Sequence, residues 1–126
     1  MDAKSAKALA EKEGLQLADV KFSDLFGQWK HFTIPIDLLD FSEKDRLPFD
    51  GSSIRGFKEI HESDMELIPD YSTTFIDPFA SNSISMICDV YDPHCKAYFD
   101  RDSRVIARKA EGYLKSTGIG DAAYVG

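Results

Sequence analysis

Four consecutive residues, Asp50-Gly51-Ser52-Ser53, set one carboxylate and two hydroxyls around a glycine. They lie between the apolar stretches Leu47-Pro48-Phe49 and Ile54-Arg55-Gly56-Phe57. Glycine lets backbone come close to a ligand, and a short polar loop held between apolar anchors can present its side chains to a small molecule. A carboxylate in that setting attracts a cation and accepts a proton. The same four residues also describe a tight Asp-Gly turn whose serines bond local backbone, and residue types alone do not choose between the two.

A second polar group, His61-Glu62-Ser63-Asp64-Met65-Glu66, gathers an imidazole and three carboxylates. It lacks a metal-ligand spacing such as two histidines four apart on a helix, so it reads as a solvated charge cluster and no metal site is expected. His31 and His94 stand alone and read as a strand-face and a turn histidine. Trp29 and the phenylalanines read as core, Phe57 excepted because it sits in the suspected loop. Cys88 and Cys95 lack CxxC spacing and secretory context, and read as reduced thiols. There is no glycine-rich phosphate loop, nucleophile elbow or Cys/His dyad.

The elements that must position these groups follow from periodicity. Residues 2–13 are rich in helix formers and stop at Gly14. LQLADVKF and WKHFTIPI, separated by a turn containing Gly27, read as a hairpin with Phe32, Ile34 and Ile36 on one face. Ile36, Leu38, Leu39 and Phe41 suggest one or two helical turns crossing the sheet. Pro48 to Asp70 reads as loop, followed by a short strand Thr73 to Ile76. Ile84, Met86, Cys88 and Val90 alternate with Ser85, Ile87 and Asp89, which predicts a half-buried strand. Asp102 is a good N-cap for an amphipathic helix carrying Val105, Ile106, Ala110, Tyr113 and Leu114 and ending at Gly118. The last residues, AAYV, read as the opening of a further strand, as if the chain stops inside a larger unit. The class predicted is α+β: a β-grasp roll with an N-terminal helix (1–14), the β-grasp body (15–100), and a linker helix with a strand start belonging to a second, truncated domain (101–126).

Charge narrows the partners. The 126 residues carry a formal net charge of -7, and residues 35–95 hold 13 acidic against 4 basic side chains. Such a surface repels phosphate backbones and anionic lipid, so neither nucleic acid nor a membrane is expected as partner. With no apolar run long enough to span a bilayer and no signal-peptide core, a cytoplasmic setting is expected.

Taken together, WKHFTIP, PFDGSSIRGF, HESDMELIPD, FIDPF and YFDRDSRVIARKAEGYLKSTGI resemble successive motifs of the amino-terminal part of bacterial type I glutamine synthetase. The wording SSIRGF and IHESDM is especially similar to actinobacterial forms. Ser103 departs from the pattern, standing where the family usually has Pro at the first helical turn. The resemblance implies a β-grasp domain followed by a larger catalytic domain that binds ATP, Mg (or Mn) and most of the glutamate, none of which is expected on this chain. It implies a homo-oligomeric ring, a dodecamer when full-length, in which this domain completes the neighbouring subunit's active site. Glutamine is made there from glutamate, ammonia and ATP through γ-glutamyl phosphate. By the same resemblance Asp50 helps bind ammonium and takes its proton, Ser53 lines that site near the substrate, and Asp64 supports the loops around its entrance. The chain alone is then expected to be inactive. The alternatives are a free-standing β-grasp module that regulates a partner, and a related γ-glutamyl ligase that uses an amine.

Overall fold

The computed structural model describes residues 1–58 and 63–124. Its framework is a mixed sheet of six strands among the described residues, with β1 (Leu17–Ser23), β2 (Trp29–Pro35), β3 (Leu47–Asp50), β4 (Asp64–Ile76), β5 (Ser83–Asp92) and β6 (Ala97–Tyr98). The order is β2-β1-β5-β4-β3, with β6 folded back on β5. β1 and β5 pair in parallel at the centre while the flanking pairs are antiparallel, a mixed arrangement that fits the β-grasp expectation.

The hairpin forms as its alternation predicts. Val20 stands opposite Phe32 and Ala18 opposite Ile34. Its turn is held by Asp24, whose Oδ1 accepts from the N–H groups of Phe26 and Gln28, each at 2.9 Å, and Gly27 takes the positive φ of 81° that the turn requires. Helix α1 (Ala3–Lys12) is capped by Asp2, which accepts from Ser5 N–H at 2.8 Å. It buries Ala6 and Ala10 against the sheet. The core between them is built from the inward residues of β1, β4 and β5: Ala18, Val20, Phe22, Met65, Leu67, Ile84, Met86, Cys88 and Val90.

Three expectations are corrected. The stretch 48–70 is not all loop: β3 starts at Leu47, and β4 starts at Asp64 and runs for 13 residues. Met65, Leu67 and Tyr71 alternate inward along β4, and Pro69 is accommodated opposite Cys88. The helical segment expected after the hairpin is the shorter of the lengths expected, a single 3₁₀ turn at Ile36–Leu38, and Leu39 alone of that cluster is fully buried. β5 is covered on both faces, because its outward Asp89 lies beneath Arg104 (3.0 Å) and Arg108 (2.7 Å). Nor are all the aromatics core: Trp29, Phe26 and Phe79 are exposed, whereas Phe57 is buried. The charge cluster 61–66 is described only from Ser63 onward, so His61 and Glu62 lie outside the described residues.

Helix α2 (Ser103–Thr117) is attached mainly at its start. Asp102, fully buried, accepts from Val90 N–H at 2.9 Å and from Arg104 N–H at 3.0 Å. Arg104 also reaches Asp70 at 2.5 Å. Beyond this turn only Val105 is buried, and Ile106 and Tyr113 of the predicted apolar stripe face solvent. Residues 121–124 form no strand, and Val125 and Gly126 lie outside the described residues. A helix so held frays from its free end. In hydrogen exchange, amides of α2 beyond Arg108 are expected to exchange about a hundredfold or more faster than those of Ile84–Val90. Equal protection in a monomer would show that α2 has a packing partner within the domain.

Candidate functional site

The DGSS loop sits at the end of the sheet, and its own sequence builds it. β3 ends at Asp50, and Gly51–Ser53 turn as one 3₁₀ unit. Gly51 donates its N–H to the Ser63 carbonyl at 2.7 Å. A Cβ on Gly51 would lie 2.6 Å from Met65 Cγ and 3.1 Å from Ser63 O, so only glycine lets β3 and β4 close here. Gly51→Ala is therefore expected to destabilise the domain by about 1–3 kcal/mol, read from denaturant unfolding, because buried Met65 must move. An unchanged midpoint would mean that the loop is not clamped by that contact.

Apolar anchors flank the turn. Phe49 packs on Phe22 (ring centroids 5.1 Å apart), and Phe57 lies between Phe22 (6.1 Å) and Phe99 (5.0 Å). Phe57, fully buried, contributes on the order of 2–3 kcal/mol of transfer free energy. Arg101 donates to the Gly56 carbonyl at 2.9 Å, pinning the far end of the loop to the segment before α2.

The loop presents a carboxylate that its own serine holds in place. Asp50 Oδ1 accepts from the Ser52 hydroxyl at 2.6 Å and from Ser52 N–H at 2.9 Å. These bonds, with a further one from Ser63, hold the Asp50 carboxyl below the usual carboxylate range, so it is ionised at neutral pH. Asp64 stands directly opposite Asp50 in the β3–β4 register. Ser53 is exposed and lines, with Asp50, a groove of about 380 Å³ whose far side is formed by Trp29, Lys30 and His31 of β2. The fold thus brings Asp50, Ser53 and Asp64 to one end of the sheet.

The remaining sequence candidates are placed elsewhere. His31 is a strand-face residue whose Nδ1 lies 2.8 Å from Asp19 Oδ1. His94 lies in the β5–β6 turn, its N–H donating to Asp92 at 2.9 Å. Cys88 is buried in β5 and Cys95 is exposed. Among the described residues no three His, Cys, Asp or Glu side chains are grouped to hold a metal ion. Among the described residues no helix is long and apolar enough to cross a membrane.

The sequence profile of the family described as "Glutamine synthetase, beta-Grasp domain" matches residues 14–93. The chain belongs to that family. It is 53% identical over 120 residues to the glutamine synthetase of Aquifex aeolicus, covering 94% of this chain and 26% of that protein. The likeness is the same, 53% over 120 residues, to the glutamine synthetase of Mycobacterium tuberculosis, covering 94% and 25%. The resemblance thus extends beyond the actinobacterial forms. A solved structure, the Plasmodium falciparum glutamine synthetase seen by cryo-electron microscopy, shares the fold with a TM-score of 0.76 at 20% identity, covering 92% of this chain and 23% of that one. This glutamine synthetase β-grasp domain chain spans about a quarter of the length of the curated relatives it matches.

Two features of the β-grasp domain escaped the sequence reading. The opposition of Asp50 and Asp64 follows from the β3–β4 register. The Asp19–His31 contact follows from the hairpin register, in which Lys21 faces His31 and Asp19 faces Thr33. The signal for the second was available: polar residues alternate with apolar ones on both hairpin strands, so they share the outer face.

Proposed function

We propose that this chain is the amino-terminal β-grasp portion of a glutamine synthetase and supplies the ammonium-site loop to the active site of a neighbouring subunit. The observation that carries the reading is Asp50, ionised, exposed and facing Asp64 at the end of the sheet. Ammonium is attracted by a carboxylate and becomes nucleophilic only when it has lost a proton. Asp50 does both: its charge holds the cation, and its oxygen receives the proton as the nitrogen attacks an activated γ-carboxyl group of glutamate. Ser53, beside it in the groove, orients the incoming groups, and Asp64 stabilises the loop and adds negative charge at the entrance.

In this reading ATP and Mg or Mn bind the catalytic domain of the full-length enzyme, where they supply the phosphorylation that activates glutamate. Residues 101–126 are the beginning of that domain, which accounts for an α2 whose apolar stripe has little to pack on. The complete enzyme is a homo-oligomeric ring, dodecameric and cytoplasmic. Replacing Asp50 by Asn in a full-length enzyme that carries this domain, and comparing ammonia with hydroxylamine as nucleophile, tests the assignment.

A further inference from the structure

A second groove, of about 650 Å³, lies on the sheet face opposite the apolar core, and no residue of α2 lines it. Its floor is the outward row of the β2–β1–β5 pairing. Asp19 Oδ1 accepts from the Thr33 hydroxyl at 3.0 Å and meets His31 Nδ1 at 2.8 Å. Lys21 Nζ lies 3.4 Å from Asp19 and 2.9 Å from Asp77. Besides His31, the ionisable groups that line it are two carboxylates and one ammonium, an excess of one carboxylate.

One buried hydroxyl there is uncommitted. Ser83 is 2% exposed, points to the groove face by strand alternation, and its hydroxyl has no partner among the described residues. A buried polar atom left so is costly, and a ligand that reaches it removes the cost. Above the floor the rim is aromatic: Trp29 is 62% and Phe79 97% exposed, with Phe75 beside them.

A flat cation with several donors, weakly hydrated and able to stack on aromatic faces, matches this combination; a guanidinium has those properties and a compact, strongly hydrated ammonium does not. Trp29 and Phe79, both largely exposed on the rim, offer apolar surface to residues that flank such a group on a chain. We propose that the groove receives an arginine side chain presented by a partner polypeptide. The inference is independent of the role given to Asp50.

The test is a titration of the 126-residue chain with N-acetyl-arginine methylamide, followed by NMR at the backbone amides of Thr33 and Ser83, which line this groove and not the Asp50 groove. Saturable shifts are expected at both, with the neutral isostere N-acetyl-citrulline methylamide binding about tenfold more weakly. Trp29→Ala and Ser83→Ala, each with the β5 amide spectrum unchanged, should weaken binding further. Equal binding of the two probes, absence of saturable shifts, or shifts confined to the Asp50 groove would overturn the proposal. Tighter binding of free L-arginine than of the capped residue would also overturn it, by making the groove a small-molecule site.

Discussion

Asp50→Asn in a full-length enzyme carrying this domain is expected to lower glutamine formation by roughly 10²- to 10⁴-fold, the usual worth of a positioned base, with ring assembly intact. Asn keeps the size of the side chain and an oxygen for the Ser52 bonds that shape the turn. What it loses is the negative charge that holds ammonium and the basic oxygen that receives its proton. The apolar anchors Phe49 and Phe57 are untouched, so the loop stays in place. Native assembly by light scattering, alongside the rate, separates a chemical loss from a structural one.

The 126-residue chain by itself is expected to form no glutamine or γ-glutamyl hydroxamate from glutamate and ATP. Phosphorylation of glutamate needs metal-bound nucleotide, and the described residues offer no grouping of ligands to hold it. The Asp50 groove is shallow and open, lined on one side by the edge strand β2, so it also lacks the walls that exclude water from a reactive phosphate. An assay of the chain, purified free of any host synthetase, checks this; turnover above a no-protein blank would mean that the domain is a complete enzyme.

How much of this was legible in the sequence depends on how local the determinant is. The hairpin, α1 and α2 follow from short-range periodicity and caps, and they form where expected. Of β4 the sequence reveals only the end, Thr73 to Ile76, because Pro69 and the charges at Glu66 and Asp70 interrupt its apolar run before that; its inward residues still alternate, and tertiary pairing with β5 overrides the local break. Trp29 was misread because aromatic character alone does not reveal that its strand lies at the sheet edge. At the site, the Asp50–Ser53 turn was readable as a polar loop between apolar anchors. The opposition of Asp64 was not, since it needs a register between two strands that had been read as loop.

The claim at the centre of the account is that Asp50 binds ammonium and accepts its proton, and the most direct measurement is the ratio of ammonia-dependent to hydroxylamine-dependent turnover in the wild-type and Asp50→Asn full-length enzymes. Hydroxylamine is neutral at pH 7 and needs no deprotonation before attack, whereas ammonia is almost wholly protonated there. The account predicts that the substitution depresses the ammonia rate far more than the hydroxylamine rate. Equal depression of both, or of neither, would contradict it and leave the loop a purely architectural part of the sheet end.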